Sequence, residues 1–276
     1  MNEQLTFLKP ACIKGKIRLG NNYDGGYVVY ADVLKSIDVL VTYGVGWETS
    51  FEEHFNSMTG KHVLMFDHTM YGKYIVNFGR IGKLIRTRRF KALRLYLKAV
   101  YQWYQILKHL KRRGIVHYTE GLSDRKEKKL DTFKSHINRF GIQQKEIFLK
   151  VDIEGGEYRV FSDPGFYDNL WNVSQIVIEF HDLKNRLPEV KKIFDKLEQN
   201  FLLVHIHCNN FGGVFKLSTD SEGASRHTLL ANVIECTFVK RGRILPGDFY
   251  CDLSNSSSGL DFPNNPHAPD YQIDYS

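Results

Sequence analysis

The sequence feature that most constrains the fold is a short apolar run that ends abruptly in carboxylates and glycines. Residues 147–157 read Ile-Phe-Leu-Lys-Val-Asp-Ile-Glu-Gly-Gly-Glu. Such a run is typical of a strand buried on both faces of a parallel sheet. Asp152 and Glu154 are two residues apart, so an extended chain directs both side chains the same way. Because ligands of open parallel sheets bind beyond the carboxyl ends of the strands, the run predicts a ligand site there. The alternative is that the acids only cap the following helix.

A second strand pattern carries a glycine turn and a suitably spaced acid. Residues 37–46 form a β-rich run that ends in a G-x-G turn beginning at Gly44, and Thr49 or Ser50 can cap the helix that follows. The next apolar run ends at Asp67, 23 residues after Gly44. Backbone N–H groups in such a turn can approach a ligand, and an acid at this spacing can accept both ribose hydroxyls of an adenosine. The pair predicts a Rossmann-like nucleoside site, although the third glycine of the dinucleotide fingerprint is missing.

Further strand patterns extend the α/β alternation to seven strands. The seven runs are 37–46, 62–67, 115–119, 147–151, 174–181, 202–210 and 232–240. We expect a hairpin loop over 22–26, a helix over about 125–140, and another from about Pro188, as a first-turn proline, to Asn200. A long loop joins the last two strands. Seven strands with an adenosine-type site at the first two suit a class I S-adenosylmethionine-dependent methyltransferase.

One segment of the chain is strongly basic. The net charge is +7, yet thirteen Lys and Arg and no Asp or Glu lie between His68 and Tyr118, which leaves about −6 for the remainder. Apolar residues at helical spacing predict two amphipathic helices over roughly 79–89 and 90–112. Residues 70–113 are therefore interpreted as a helical insertion that serves as a lid, a substrate platform or a dimerisation element. Its basic face is either solvated or a contact for phosphates, a nucleotide diphosphate or an anionic surface.

Composition excludes several classes of protein. The first residues lack the basic and apolar regions of a signal peptide, and no apolar run is long enough to cross a membrane. The cysteines, Cys12, Cys208, Cys236 and Cys251, form no C-x-x-C pair, so we expect free thiols in a reducing cytoplasm. Residues 252–276 are expected to form a tail that is either loosely held or an extended strap over the sheet.

The order of motifs resembles the FkbM-type sugar O-methyltransferases. The matching segments are Arg18-Leu-Gly with Asp24-Gly-Gly-Tyr27, Tyr43-Gly-Val-Gly46 with Ser50-Phe-Glu52, Phe66-Asp67, Gly121-Leu-Ser123, Lys150-Val-Asp-Ile-Glu-Gly-Gly-Glu157, Ile178-Glu-Phe-His181, His205-Ile-His-Cys-Asn-Asn210 and Leu260-Asp-Phe-Pro-Asn-Asn-Pro266. The Lys150–Glu157 block is the most specific. Thr42 and Glu48 depart from the general glycine motif, where an acid and a third glycine are common.

The resemblance implies a fold, an activity and a set of site residues. The fold is a Rossmann-like class I domain over residues 1–276, with a mostly parallel seven-stranded sheet and an antiparallel last strand. The activity is methyl transfer from S-adenosylmethionine to a sugar hydroxyl, on a nucleotide-linked sugar for capsule, lipopolysaccharide or other surface glycan synthesis. The implied cofactor-binding residues are Tyr43, Gly44, Gly46, Thr49, Ser50, Asp67, His68, Gly121, Ser123 and Asp152. The implied substrate-binding residues are Asp24, Tyr27, Glu154, Asn209 and Asn210. The basic segment, which the resemblance does not cover, adds Arg86 and Arg88 as candidates, because guanidinium groups can bind the phosphates of a nucleotide-linked sugar.

The chemistry needs a base for the hydroxyl proton. His181 is the first candidate because the pKa of an imidazole lies near working pH, and Asp152 and His207 are further candidate catalytic groups. A divalent metal is the other route: Asp152, Glu179 and His181 could bind Mg²⁺ or Mn²⁺ and acidify the hydroxyl. The alternative for His181 is a histidine satisfied by its neighbours that never contacts substrate.

Three other functions compete with this prediction. The basic segment would suit an RNA methyltransferase, although it contains no recognisable RNA-binding module and the remaining chain is acidic. A binding module that keeps the cofactor pocket without chemistry is the second, and an NAD(P)-dependent reductase is the third. The favoured prediction is a cytoplasmic enzyme with a small-molecule acceptor and no nucleic-acid partner, which could form a homodimer.

Overall fold

A seven-stranded mixed sheet lies at the centre of the protein. The structure, a computed structural model, describes residues 3–46, 48–69, 78–221, 224–249 and 259–273. Its strands are β1 (Lys16–Leu19), β2 (Tyr27–Tyr30), β3 (Val39–Tyr43), β4 (His62–Phe66), β5 (Ile115–Tyr118), β6 (Gly121–Leu122), β7 (Leu130–Asp131), β8 (Ile147–Val151), β9 (Val173–Phe180), β10 (Phe201–Cys208), β11 (Val214–Ser221), β12 (Ala224–Ala231) and β13 (Ile234–Lys240). Its α-helices are α1 (Ala31–Leu34), α2 (Ser50–Thr59), α3 (Phe78–Arg86), α4 (Phe90–Arg112), α5 (Phe133–Arg139), α6 (Glu157–Ser162), α7 (Pro164–Tyr167) and α8 (Leu183–Leu197).

The strand order confirms the predicted fold class. The central sheet runs β10-β13-β9-β8-β3-β4-β5, and β13, the last strand along the chain, pairs antiparallel with both neighbours. The pairs β3–β4, β3–β8, β4–β5 and β8–β9 are parallel. From β3 the chain adds β4 and β5 on one side of the sheet and later adds β8 and β9 on the other side. The strand order therefore reverses between β3 and β8, and an open α/β sheet binds its ligands at such a point.

Both faces of the sheet are covered by apolar side chains. Residues of β3 alternate between two core clusters, with Val39 and Val41 in one and Leu40 in the other. In β8, Leu149 belongs to the first cluster and Phe148 to the second. All five residues of β8 are buried, which explains why this strand is apolar at every position except Lys150 and does not alternate between apolar and polar residues.

A glycine is required where β3 meets β8. Gly44 has a φ of 75°, and a Cβ at this position would lie 1.4 Å from the carbonyl oxygen of Asp152. The Gly44 N–H donates to the carbonyl of Phe66 at 3.0 Å, and the Asp152 N–H donates to the carbonyl of Tyr43 at 3.0 Å. The ends of three adjacent strands are thus held together by backbone hydrogen bonds that a side chain at Gly44 would break.

The predicted helix over 125–140 is wrong in its first half. The short strand β7 lies there and pairs with β6, and α5 occupies only Phe133–Arg139. The cause is local polar chemistry: Thr132 caps α5 by accepting a hydrogen bond from the Ser135 N–H at 3.1 Å, and Asp131 accepts one from the Thr132 N–H at 2.8 Å. These bonds start the helix at residue 133.

The prediction that Pro188 opens a helix is also wrong. The helix α8 begins at Leu183, five residues earlier, and Pro188 lies inside it. Asn232 explains the earlier start, because its carbonyl accepts from the Leu183 N–H and its side-chain Oδ1 from the Lys184 N–H, both at 3.0 Å. The long connection between the last two sheet strands, for which the sequence predicts a loop, contains the hairpin β11–β12.

The structure describes part of the predicted insertion and part of the predicted C-terminal tail. The helices α3 and α4 match the two predicted basic helices, while residues 70–77 of the insertion lie outside the described residues. Residues 259–273 form an irregular segment, called the strap below, which bridges to β10 through Tyr271 and Cys208. Cys251 and residues 252–258 and 274–276 also lie outside the described residues. Within the described residues, every helix is too short or too polar to cross a membrane.

Candidate functional site

A cavity of about 350 Å³ lies at the switch point between β3 and β8. It is called the donor cavity below. Its walls come from the turns after β3, β4 and β8, from β6, and from the loop between β1 and β2. The residues that line it include Asp24, Tyr27, Gly44, Val45, Gly46, Phe66, Asp67, His68, Gly121, Leu122, Ser123, Lys150, Asp152, Ile153 and Glu154. The cavity is therefore lined by apolar side chains together with carboxylates and glycine turns, a combination that is typical of nucleoside sites.

The glycine turn and its acid are joined directly. The Gly46 N–H donates to Oδ2 of Asp67 at 2.9 Å, and Thr69 donates to Oδ1 through its N–H and its hydroxyl, both at 2.7 Å. Asp67 is 4% exposed. A Cβ on Gly46 would meet no atom within 4 Å, so this face of the turn is open to the cavity. The acid that the sequence placed 23 residues after Gly44 is thus held beside the turn.

Seven of the ten predicted cofactor-binding residues line this cavity: Gly44, Gly46, Asp67, His68, Gly121, Ser123 and Asp152. The other three do not. The Tyr43 side chain is fully buried, with its hydroxyl 2.9 Å from Nδ1 of His136. The Thr49 hydroxyl donates to Glu53 at 2.9 Å, and the Ser50 N–H donates to Glu48 at 2.8 Å, both at the start of α2.

A second cavity, of about 450 Å³, adjoins the first. It is called the acceptor cavity below. The residues that line it are Asp24, Asp152, Glu154, Glu179, His181, Asn209, Phe211, Gly212 and Val233. Asp24, Asp152 and Glu154 line both cavities. The two spaces therefore share a wall of carboxylates at the carboxyl end of β8.

His181 is held at this wall by Glu157. The Glu157 side chain is fully buried at the start of α6, and its Oε1 accepts from the His181 N–H at 2.8 Å and lies 3.3 Å from His181 Nδ1. Its other oxygen accepts from the Gly155 N–H at 2.8 Å. With Nδ1 turned to Glu157, the Nε2 atom of His181 faces the shared carboxylates. Burial opposes the charged form, but the hydrogen bond and charge of Glu157 outweigh it, so the pKa of His181 is raised.

The carboxylates at the wall repel one another. The Tyr27 hydroxyl lies within hydrogen-bond distance of Asp152 (3.2 Å) and Glu179 (3.1 Å), and the Asn209 amide donates to Glu179 at 3.0 Å. Burial, more than any other cause, raises the pKa of Asp152 to about 6. Burial and then the nearby Asp152 and Glu235 raise the pKa of Glu179 well above its usual range. The arrangement thus favours a positively charged ligand, which would stabilise the ionised carboxylates.

The same groups resemble a metal site in their geometry. One ligand atom from each of Asp152, Glu154 and His181 lies within 4.8 Å of the others. His181 Nε2 is 3.5 Å from Glu154, 3.5 Å from Glu179 and 3.9 Å from Asp152. The predicted set contained Glu179 in the place of Glu154. Carboxylate oxygens with one imidazole suit Mg²⁺ or Mn²⁺, so the residues fit either ion.

The remaining predicted residues lie away from both cavities. His207, predicted as a catalytic group, is buried between Glu235 and Asp270 at 3.3 Å from each. The Asn210 amide donates to the carbonyls of residues 265, 268 and 269 and so anchors the strap. Arg86 and Arg88 are exposed, and no described residue of 78–113 lines either cavity.

Sequence reasoning missed two buried charged residues at the site. Lys150 is buried below the donor cavity, with its Nζ 3.7 Å from Glu52 and 5.0 Å from the centre of the Tyr27 ring. A single lysine in an otherwise apolar strand is the signal, because a buried lysine requires an acid partner. Glu157 closes the Lys150–Glu157 motif, but its contact with His181 depends on β9 and could not be derived from spacing.

Part of the chain matches a family of methyltransferases. Residues 93–203 match the sequence model of the methyltransferase FkbM domain. The matched part is less than half of the chain, and it contains the Lys150–Glu157 motif and His181. No curated protein sequence matches the chain.

Several solved structures resemble the fold at low identity. A precorrin-6y C5,15-methyltransferase from Geobacter metallireducens is 11% identical, with 75% of this chain and 82% of that chain covered and a TM-score of 0.37. An rRNA methylase from Streptococcus thermophilus is 10% identical over 75% and 89%, with a TM-score of 0.38. A Streptococcus pneumoniae protein in complex with S-adenosyl-L-methionine is 10% identical over 81% and 72%, also at 0.37.

These structural similarities are too low to transfer a substrate or a residue role. The fold assignment rests on the strand order described above, and the activity on the family match, which together support an S-adenosylmethionine-dependent methyltransferase. The predicted resemblance to the FkbM-type class I methyltransferases is thereby confirmed, with its sequence match over residues 93–203.

Proposed function

We propose that this methyltransferase acts on a hydroxyl group of a sugar, carried on a nucleotide or another glycan precursor. The observation that carries the proposal is the wall of Asp24, Asp152 and Glu154 that separates a nucleoside-sized cavity from a second, polar cavity. A methyl donor in the first cavity and a hydroxyl in the second would meet at this wall. Two reactants that are held in line at contact distance react faster, because binding has already brought them together in the required orientation.

The donor cavity suits S-adenosylmethionine in shape and in charge. Its apolar residues Phe66, Leu122 and Ile153 can enclose an adenine, and Asp67, which also lines the cavity, is the group that would accept hydrogen bonds from the ribose hydroxyls. The sulfonium carries a positive charge, and burial raises the pKa of both Asp24 and Asp152, so a cation beside them would stabilise their ionised forms. The same wall offers no comparable advantage to a neutral or anionic cofactor.

The acceptor cavity supplies groups for a polyhydroxylated ligand. Asn209, Glu154 and Asp24 can hydrogen-bond to hydroxyls, and His181 Nε2 is placed to take the proton from the hydroxyl that reacts. S-adenosylmethionine, when bound, supplies an electrophilic methyl group. The side chains of this protein orient the hydroxyl, remove its proton and keep the sulfonium beside carboxylates, as an O-methyl transfer requires.

Ligand binding tests the donor half of the proposal. We expect S-adenosylhomocysteine and S-adenosylmethionine, but not NAD, to bind with heat release in isothermal titration calorimetry. Asp67→Ala should weaken binding at least about tenfold, roughly 1.4 kcal/mol, because it removes the ribose contacts and frees the glycine turn. Asp38→Ala, a partly exposed acid before the first residue of β3 and so at the end of that strand opposite the cavity, is the matched control. Unchanged affinity in Asp67→Ala would place the donor elsewhere.

Product analysis tests the acceptor half. Purified protein should transfer a labelled methyl group to a member of a panel of nucleotide sugars and oligosaccharides, and mass spectrometry should locate the added methyl group on oxygen. Transfer to RNA alone, or to carbon or nitrogen of any acceptor, would contradict the proposal while leaving the donor site intact.

A divalent metal is a second proposal for the same wall. The fit of Asp152, Glu154 and His181 to one ion supports it, together with the raised pKa of Asp152. Activity should be lost after dialysis against EDTA and restored by Mg²⁺ or Mn²⁺, and elemental analysis should find the ion. Full activity after exhaustive chelation would reject the metal and leave His181 as the base.

A further inference from the structure

The helix α4 has two apolar faces, and only one of them is covered. Tyr96, Trp103 and Leu110 recur every seven residues and are at most 7% exposed. Leu110 belongs to a core cluster of the sheet. This face attaches the helix to the domain.

The second apolar face of α4 is open to solvent. Phe90, Leu97, Tyr101 and Tyr104 follow one another at intervals of seven, four and three residues, which places them on one side of a helix. They are 61%, 44%, 63% and 59% exposed. The stripe they form, called the outer stripe below, is about 21 Å long at 1.5 Å per residue. Large apolar side chains in a contiguous row on a protein surface are typical of an interaction site.

Cations flank the outer stripe. Lys91, Arg94 and Lys98 lie beside its first half, and Lys108, Lys111 and Arg112 continue the helix beyond Tyr104; all are exposed. The sequence between His68 and Tyr118 contains no acid. Among the described residues, none of these six cations lies within 4.0 Å of a carboxylate. The surface therefore requires a partner that is negatively charged and also accepts apolar groups.

We propose that the outer stripe and its flanking cations seat α4 in the headgroup region of an anionic phospholipid bilayer. A helix with an apolar face beside Lys and Arg lies in the plane of such an interface, with its aromatic and aliphatic side chains among the acyl chains and its cations at the phosphates. Tyrosine suits this depth because its ring is apolar and its hydroxyl is polar. The proposal concerns binding only and does not depend on the methyl-transfer reaction.

Other partners fit the surface less well. A second copy of the chain would bring the same cations into opposition across a twofold interface. A nucleotide phosphate would use two or three cations and leave the stripe exposed. Single-stranded RNA stacks bases on aromatic rings, but Leu97 in the middle of the stripe and the half-buried Leu93 and Val100 beside it offer no stacking face. Acyl chains can contact all of them.

Vesicle sedimentation tests the proposal with the full chain. Vesicles of phosphatidylcholine with 30 mol% phosphatidylglycerol should pellet the protein at about 0.1 M NaCl, and pure phosphatidylcholine vesicles should pellet at least about tenfold less. The triple variant Leu97→Ser/Tyr101→Ser/Tyr104→Ser should bind the anionic vesicles at least about tenfold more weakly. Arg94→Glu/Lys98→Glu should have an effect of similar size.

A matched control separates the stripe from general surface hydrophobicity. Leu95 and Ile106 lie on the same helix, are 60% and 42% exposed, and face away from the outer stripe. Leu95→Ser/Ile106→Ser should retain wild-type vesicle binding. Equal loss in the control pair and the triple variant would overturn the proposal, and so would failure of the wild type to bind the anionic vesicles. Binding to RNA without binding to vesicles, or a dimer in analytical ultracentrifugation that the triple variant dissociates, would assign the surface to those partners instead.

Discussion

At the residue scale, the site depends on how one buried carboxylate orients one imidazole. Glu157 is fully buried and accepts from two backbone N–H groups, so its position is fixed before any ligand binds. Its contact with Nδ1 of His181 leaves Nε2 directed at the acceptor cavity. Glu157 is therefore a positioning residue, whereas His181 is the group proposed to contact the acceptor.

We predict that His181→Ala abolishes methyl transfer while leaving the affinity for S-adenosylhomocysteine within about twofold of the wild type. The reason is that His181 lines the acceptor cavity and not the donor cavity. Turnover is measured with a labelled methyl group and affinity by calorimetry. His54→Ala, a histidine of α2 that lines neither cavity, is the control and should keep both values.

Glu157→Gln separates positioning from chemistry. It keeps the size of the side chain and loses the charge, so we expect kcat to fall at least about tenfold with KM for the acceptor nearly constant. A fall in the folded fraction by circular dichroism, without a change in kcat of the folded protein, would show that Glu157 only stabilises the loop.

At the scale of elements, sequence patterns located most strands and misplaced the boundaries that depend on distant partners. The runs that form β3 and β8 were identifiable because every residue of both strands is buried, so the strands are almost entirely apolar. The start of α8 could not be found, because Asn232, about fifty residues away, supplies the hydrogen bonds that begin it. The first half of the predicted 125–140 helix failed because local Asp131 and Thr132 side chains compete with the helix.

For the candidate site, too, features set by local sequence were predictable and features that depend on distant residues were not. The acid at Asp67 was predictable because the glycine-to-acid spacing is set by one strand-turn-helix unit, and the structure joins Gly46 to Asp67 directly. His207 was predicted as a site residue because histidines recur at every second position along β10. In the structure, however, its partners are Glu235 and the strap residue Asp270. The two-residue alternation of side chains along a strand could not distinguish a residue of the site from a residue that contacts the strap.

The strap is the element for which we predict a pH effect. His207 lies among Glu235, Asp261 and Asp270, with Arg18 near the same acids. Burial opposes its charged form, but the hydrogen bond with Glu235 and the nearby acids raise the pKa of His207 to about 9. A histidine whose pKa is raised on folding stabilises the fold fully below about pH 6.5, and that contribution is lost as the pH rises through about 9.

We therefore expect urea unfolding to show a difference between wild type and His207→Gln that shrinks from pH 6 to pH 9.5. The change should be at most about 3 kcal/mol, because 2.5 pKa units correspond to roughly that free energy. His205→Gln is the control: burial lowers the pKa of His205, so its difference from the wild type should stay constant above about pH 7. A constant difference for His207→Gln would mean that the imidazole is neutral in the folded protein.

At the scale of the whole molecule, the two core clusters share one sheet, so we predict one cooperative unfolding transition. The clusters meet across β3 and β8, and neither can form without those strands. S-adenosylhomocysteine at about a hundred times its Kd should add roughly 2.7 kcal/mol to the free energy of unfolding. Differential scanning calorimetry should show a single peak that moves up by roughly 5–10 °C. Two peaks would indicate that residues 70–113 unfold separately.

The basic segment and the two cavities differ in the sign of their charged side chains. The basic segment is confined to α3, α4 and the residues next to them, whereas most of the charged side chains that line the cavities are acids. The two functions proposed for these regions, surface binding and methyl transfer, therefore use opposite charges. Raising the salt concentration should weaken vesicle binding strongly and change the affinity for the buried donor much less, because salt screens exposed charges more than buried ones.

The position of β13 also determines the order in which the protein can be assembled during synthesis. The donor cavity is lined by residues from 24 to 159, all of which leave the ribosome before β13 exists. In the finished sheet β13 stands between β9 and β10, so these two strands have unpaired edges until residues 234–240 arrive. Val233 of the acceptor cavity immediately precedes that strand. The part of the chain that lines the donor cavity can thus form early, and the acceptor cavity is completed only when the last strand inserts.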